Sequence, residues 1–386
     1  MITNILNEEF KSEFFSNYFG KSYLHKKKIF KNFKEAMNLE ILNNMLSIKN
    51  IWNNRNFVMM LDKKKINFSE YSSLSLDLTG NSHRPDVDKV QKFISKGASI
   101  VLNDIENHNL ELLSIAKQFQ EMTQGKCQGN LYFSMESHQA FGPHCDEHDV
   151  FAIHFEGEKV WNIYENIDKN PINHPILKYS LEERVKRAGK LINQITLKPG
   201  DLLYLPRGQY HDALASKNGS IHIAFGLTYF KNIDLMASLW ENFILNDFMR
   251  GDIKLGANDA QLKDTLVNFS KELNSIITSN NTLEILKNSV KAWPYKIKNY
   301  SLKNVVADGR KYYVSKLVKL EKNVDVLYLT NGQDKVKVPD NYSKLTEHIL
   351  KQEFVTHKSL AFTFSDISNE VISECLENLK KMLVLQ

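Results

Sequence analysis

Gly142-Pro143-His144-Cys145-Asp146, followed by Asp149-Val150-Phe151 and by Glu156-Gly157-Glu158-Lys159-Val160-Trp161, is the stretch on which the fold turns. Residues two apart on a strand face the same side. His144 and Asp146 can therefore grip one metal ion while Cys145 points away. A third ligand has to come from elsewhere. His211 is the candidate, sixty-five residues after Asp146, where Gly200-Asp201-Leu202-Leu203-Tyr204-Leu205-Pro206 leads through Arg207-Gly208-Gln209-Tyr210 into it. Two histidines and one carboxylate form the facial triad of non-haem Fe(II) oxygenases, which leaves positions open for a co-substrate and O2. A lone His-x-Asp is most often a surface or core pair. Lys159, fifteen residues after His144, and the turn into His211 make the combination specific.

The sequence around the motif reads as many short strands. Segments 131–135, 150–155, 159–164, 194–197, 202–205 and 220–228 are rich in β-branched and aromatic residues and are separated by Gly and Pro. That texture predicts a closed or double-sheet β architecture, whose inward positions shield a reactive metal from bulk water. Upstream, aromatics at helical spacing over 10–19 predict a helix, followed by a lead-in strand near 21–27. A helix over 86–96 is bracketed by Pro85 and Gly97, and a strand follows at 98–102. Segment 109–123 predicts an amphipathic helix with Leu110, Leu113, Ala116 and Phe119 near one face. After Tyr229 the pattern turns helical, over 234–249, 258–277 and 282–291. The last stretch predicts a strand and turn at 324–332 and helices at 342–352 and 366–382.

Composition sets the outer bounds. A chain of 386 residues suggests two or three domains, and 42% apolar residues supply ample core. No apolar run reaches the roughly eighteen residues of a membrane span, so no membrane association is expected. The first residues lack the pattern of a signal peptide. Cys127, Cys145 and Cys375 are odd in number and far apart, which argues against a disulfide framework and fits a reducing cytoplasm. The net charge of +5 is unevenly spread. Residues 285–320 hold nine Lys or Arg against Asp308 alone, and residues 1–65 hold twelve against six acids. Such basic stretches favour proximity to nucleic acid or an acidic partner; a plain solvated Lys-rich surface accounts for them equally.

These motifs resemble those of the JmjC branch of the cupin superfamily, the 2-oxoglutarate-dependent oxygenases. Within it they look most like the ribosomal-protein hydroxylases, which share Gly-Pro-His-x-Asp, Asp-Val-Phe and Glu-Gly-x-Lys-x-Trp. The strong resemblance covers about residues 130–228. It implies an α+β fold: a double-stranded β-helix, the cupin jelly roll, with helical flanks. The expected domains are a catalytic domain at 1–229, a helical, dimerisation-like domain at 230–300 and a winged-helix-like domain at 301–386. It also implies Fe(II) held by His144, Asp146 and His211, and 2-oxoglutarate as co-substrate with Lys159 on its far carboxylate. Tyr132 and Ser134, on the strand before the triad, are placed to reach that carboxylate, although core packing explains Tyr132 as well. The implied reaction hydroxylates a side chain of a protein or peptide, ribosomal proteins being the family's example, and the implied assembly is a homodimer.

Other residues near the motif have structural readings first. His222 reads as a buried, hydrogen-bonded histidine, Trp161 as core and Cys145 as a small buried side chain on the wrong face for the metal. Arg207 and Gln209 lie in the turn before His211 and face either substrate or solvent. His138, His148 and His154 lie near in sequence, but the His-x-His signature of a four-ligand cupin site is absent. Ser137-His138-Gln139-Ala140-Phe141 lacks the Gly-rich run common before the family motif, which leaves the shape of the substrate pocket open. Two further functions stay open. One is a tailoring hydroxylase acting on a peptide natural product by the same chemistry. The other is a non-catalytic cupin module that binds RNA or protein.

Overall fold

The computed structural model describes residues 6–77, 80–135, 141–294, 310–323, 326–330, 335–382 and 384–385. The chain divides into two compact units, residues 1–296 and 297–386. In the first unit the strands are β1 (Leu24–Lys26), β2 (Phe57–Leu61), β3 (Lys64–Lys65), β4 (Ser72–Asp77), β5 (Gly80–Pro85), β6 (Ser99–Leu102), β7 (Lys126–Ser134), β8 (Asp149–Ile167), β9 (Leu191–Leu197), β10 (Leu202–Leu205) and β11 (Gln209–Thr228). Nine of them form one sheet in the order β1-β10-β8-β11-β7-β6-β2-β3, with β9 on β8, while β4 and β5 pair separately. The fold is the cupin jelly roll.

Two long strands organise it. β8 and β11 run for 19 and 20 residues, several times the usual strand length of about 5–6. The first half of β8 pairs with β10 and the far half of β11, and its second half pairs with β9 and the near half of β11. The sequence pattern predicts separate strands at 150–155 and 159–164; they are one strand that bends. Gly157 looks like a terminator because it breaks the apolar pattern, but it sits at the bend with φ +68°. A Cβ on Gly157 would lie 2.1 Å from the Gly219 carbonyl oxygen, so the two strands approach there more closely than any side chain allows.

The bend carries a register shift. His222 opposes His154 and Ile221 opposes Glu156, so Phe155 is an extra residue on β8. Before it, Val150 and Ala152 point into the inner cluster; after it, Trp161 and Ile163 do. The inward set thus changes from even to odd numbers, and this turns Lys159 inward.

The opposite face of β8 is buried as well. Phe151, Ile153 and Phe155 pack with Tyr204 under the N-terminal helices. From helix Glu8–Asn17, the Phe14 ring lies 4.7 Å from Tyr204 and 5.3 Å from Phe151. Phe119 of helix Leu110–Thr123 stacks on Phe151 at 4.3 Å. That helix starts at Asn109, whose side chain accepts the Glu111 and Leu112 N–H groups as an N-cap. Its buried face is Leu112, Ile115, Ala116 and Phe119, so the expected stripe through Leu110 is corrected: Leu110 is 75% exposed. The helix expected at 86–96 is Val87–Ile94, capped by Asp86.

The helical stretch beyond β11 is counted within the first unit. The single helix expected at 234–249 is two, Asn232–Ser238 and Trp240–Leu245, and Asp259–Ile277 and Asn280–Ala292 follow. The second unit holds β12 (Lys311–Tyr313), β13 (Lys319–Asn323), β14 (Val326–Thr330), β15 (Lys335–Lys337) and β16 (Phe354–Thr356). β13, β14 and β15 form an antiparallel sheet, and β12 pairs with β16. Helices Ser343–Ile349, His357–Thr363 and Asn369–Lys381 supply Leu345, Ile349, Leu360, Ile372 and Leu376 to this unit's own core. Among the described residues no helix is long and apolar enough to cross a membrane.

Candidate metal centre and co-substrate pocket

His144, Asp146 and His211 converge: one ligand atom from each lies within 4.8 Å of the others. The convergence is made by main chain. The His144 N–H donates to the His211 carbonyl at 3.0 Å, and the His211 N–H donates back to His144 at 2.8 Å. The Gly208 N–H donates to the Asp146 carbonyl at 2.9 Å. The expectation of a regular strand under His144 and Asp146 is corrected. His144 makes one isolated bridge, and Asp146 lies in irregular chain before β8. The bridge supplies the geometry a strand was expected to supply.

Both imidazoles are oriented by the chain. His144 Nδ1 lies 2.8 Å from the Gly142 carbonyl oxygen and His211 Nδ1 lies 2.9 Å from the Gln209 carbonyl oxygen. With Nδ1 as donor, each Nε2 is left bare, the arrangement typical of metal-binding histidines. The Nε2 atoms lie 4.0 Å (His144) and 3.6 Å (His211) from the Asp146 carboxylate oxygens. Burial, reinforced by His144, pushes His211 down to about 4, so it is neutral. Burial tends to raise Asp146, but His211, His148 and His144 outweigh it and hold the carboxyl below its ordinary range. Two imidazole nitrogens and an ionised oxygen suit Fe(II). Trp161 stacks on His211 at 5.6 Å. Cys145 faces away, its Sγ 3.8 Å from Asp168.

Lys159 lies deeper in the jelly roll and is 4% exposed. Its Nζ donates to Ser134 Oγ at 3.1 Å and lies 3.5 Å from His222 Nδ1 and 5.9 Å from the Tyr132 ring. Among the described residues no carboxylate forms an ion pair with it. Burial alone pushes its ammonium down to about 7. A buried cation without a counter-anion is costly unless a ligand supplies one. Ser220, the cross-strand partner of Ser134, is 1% exposed and its hydroxyl has no partner among the described residues. Tyr132 stacks on His222 at 4.7 Å, and burial raises its phenol so that it stays protonated. Burial, with Lys159 and His154 beside it, holds His222 neutral.

The remaining expectations sort as follows. His222 is buried and packs against Tyr132 and Trp161. His154 is buried, with Nε2 3.0 Å from the Gly157 carbonyl oxygen. Gln209 is buried and donates to the Tyr164 carbonyl at 2.7 Å, so it braces the sheet. The Arg207 guanidinium donates to the Pro171 carbonyl and its N–H donates to Asp149 at 2.8 Å. His148 lines the cleft above the triad without joining the ligand set. His138 and most of the segment 137–141 lie outside the described residues; Phe141 packs near Tyr132 and His144. Sequence reasoning missed Ser220, although its place two residues before His222 on one strand face was a usable signal. It also missed the cleft of about 810 Å³ over His144 and Asp146, walled by helix Leu181–Ala188 and the chain before it.

A family model described as the JmjC domain matches residues 105–235. The chain is 28% identical over 240 residues to a Dictyostelium discoideum protein named bifunctional lysine-specific demethylase and histidyl-hydroxylase NO66, covering 60% of this chain and 43% of that one. It is 31% identical over 176 residues to Bos taurus ribosomal oxygenase 2, covering 43% and 35% respectively. The chain thus spans less than half the length of these curated relatives. Among solved structures it is similar to the Escherichia coli ribosomal oxygenase YcfD in complex with cobalt and 2-oxoglutarate, with TM-score 0.53, 16% identity and 97% of both chains covered. At that identity the likeness is one of fold.

Proposed function

We propose, from the premise that this chain is a JmjC-domain protein of the cupin superfamily, that it is an Fe(II)- and 2-oxoglutarate-dependent oxygenase that hydroxylates a side chain of a protein or peptide. The observation that carries the reading is the pairing of a converged His144, Asp146 and His211 set with a buried, anion-less Lys159 in the same jelly roll. A purely binding module has no use for both. The name ribosomal oxygenase 2 supports a ribosomal-protein substrate, and the name histidyl-hydroxylase supports hydroxylation of a side chain.

In this reading His144 and His211 offer their bare Nε2 atoms, and Asp146 an ionised oxygen, to iron. Bound iron with 2-oxoglutarate supplies the oxidising chemistry: O2, 2-oxoglutarate and a C–H bond give an alcohol, succinate and CO2. Lys159 meets the far carboxylate of 2-oxoglutarate with a charge-assisted hydrogen bond. Ser134 and Ser220 flank it with hydroxyls. Tyr132 presses His222 into place and reaches the same end of the pocket. Trp161 holds the His211 ring, and the two buried faces of β8 exclude water.

The helical stretch after Tyr229 exposes Trp240, Leu245 and Leu266, and this supports a homodimer interface for the region 230–300. We assign residues 1–229 to catalysis and 301–386 to a winged-helix-like module, which the order of a small sheet and three helices supports. The lysines of β12, β13 and β15 support proximity to nucleic acid. Three unpaired cysteines and a ferrous cofactor support a reducing, cytoplasmic setting.

The test is succinate release by the full chain with ribosomal-protein and peptide pools, with and without Fe(II). Products are read by mass spectrometry for a gain of about 16 Da, one added oxygen. His144→Ala and Asp146→Ala are expected to abolish turnover. Iron-independent retention of RNA or protein with no succinate would favour the binding module instead.

A further inference from the structure

We infer that helix Leu181–Ala188 forms an oxyanion subsite in which Arg184 receives an acidic group of the substrate beside the residue to be oxidised. This rests on the oxygenase reading above and adds the substrate's chemistry to it.

Arg184 and Arg187 are one turn apart on this helix, and both line the cleft over His144 and Asp146. Their situations differ. Arg187 is committed: its Nη2 donates to Asp168 Oδ1 at 2.8 Å, its Nε donates to the Tyr210 hydroxyl at 3.3 Å, and its guanidinium stacks on Tyr179 at 4.0 Å. Tyr210 in turn donates to Asp168 Oδ2 at 3.0 Å, which fills that carboxylate. Arg184 has a buried Nε with no acceptor among the described residues. A buried charged donor left unsatisfied is unfavourable, and native proteins keep few of them without a reason. A ligand meets the rest of the group: Arg184 is half-buried, makes no ion pair among the described residues, and lines the cleft, so an oxyanion on its terminal nitrogens neutralises the charge that the sealed Nε shares.

Charge bookkeeping over the cleft agrees. With Asp146 assigned to iron and Asp168 filled by Arg187 and Tyr210, the remaining charges are Lys169, Lys178 and Arg184 against Glu147. The balance is positive, and the planar fork of arginine matches a carboxylate or a phosphate. The wall is also joined to the metal loop. A side chain at Gly142 would come within 2.6 Å of Leu181 Cδ1, so the helix leans on the chain two residues before His144. The helix start is fixed by a reciprocal cap between Ser180 and Glu183. Lys159 does not line this cleft, so the co-substrate's carboxylate and the substrate's oxyanion have separate cations.

The test uses the full chain loaded with Mn(II) in place of iron, plus 2-oxoglutarate. Its retention is measured on immobilised pools of short random peptides bearing Asp or Glu, phosphoserine, or neutral Asn or Gln at one position. Wild type is expected to favour an acidic pool over the neutral one by about tenfold, the scale of one charge-assisted hydrogen bond. Arg184→Gln should reduce that preference to within about twofold, with an unchanged thermal melt. Lys186→Gln, on the exposed side of the same helix, should keep it. The relative retention of the Asp/Glu and phosphoserine pools identifies the source of the oxyanion. Absence of any acidic preference in wild type, its persistence in Arg184→Gln, or its equal loss in Lys186→Gln would overturn the subsite. Binding of 2-oxoglutarate is measured on the same preparations: its failure counts against the oxygenase reading, and its success without acidic preference removes the subsite alone.

Discussion

Lys159 shows how far a single residue can be read from sequence. Its spacing from His144 and its Glu-Gly-x-Lys-x-Trp setting pointed to a co-substrate anchor, but only through resemblance. Strict alternation counted from Val150 places Lys159 on the outer face; the extra residue at Phe155 reverses this. No sequence rule announces that bulge. Arg184 was illegible for a different reason: its environment depends on which neighbour Asp168 chooses, and that is a matter of packing. A pH prediction belongs at this scale. Burial holds Lys159 at about 7, far below an ordinary lysine, whereas a docked carboxylate favours the charged form. Binding of 2-oxoglutarate above pH 7 must therefore take up a proton. Its affinity should fall on the order of tenfold per pH unit above that point. Titrating the Mn(II)-loaded protein from about pH 6.5 to about 8.5 checks this. Lys159→Arg, always charged, should flatten the slope; a flat wild-type profile would remove Lys159 from this role.

At the level of elements, β8 and β11 matter most. Their apolar residues were visible, but their continuity was not, because Gly157 reads as a stop in a linear pattern and acts as a hinge in the sheet. Other strands were missed for related reasons. β2, Phe57-Val58-Met59-Met60-Leu61, is apolar on both faces and has no alternation to detect. β5 runs through Gly80, Pro85 and polar residues and looks like a loop. Helices announced themselves better, since Asn109 and Asp86 mark their starts chemically. Gly157→Ala combines a left-handed backbone conformation with a Cβ pressed on the Gly219 carbonyl. It should cost about 2–4 kcal/mol of stability, read as a lower urea midpoint. A midpoint equal to wild type would mean that the two strands can separate at the bend at little cost.

On the scale of the whole molecule, the texture of the sequence changes near residue 301, and the structure divides into units 1–296 and 297–386. The finer boundary at 230 came from the resemblance; the helical periodicity beside it reports local conformation and not which core the helices join. Two units with separate cores should unfold in distinguishable steps, with a van't Hoff enthalpy below the calorimetric one. Mn(II) with 2-oxoglutarate should raise only the transition of residues 1–296, by mass action on the folded site. Leu345→Ala, in the other core, should lower only the second, by about 2–5 kcal/mol. Differential scanning calorimetry checks both, and a single transition moving as one in both cases would contradict independent units.

The reciprocal main-chain bonds between His144 and His211 have one more consequence. Because the backbone zips the two segments together, the trio of donor atoms is held in place by the chain itself, and stripping metal with a chelator should leave the fold standing. An unchanged circular-dichroism spectrum after dialysis against the chelator, with full rebinding on adding Mn(II), is the outcome this predicts.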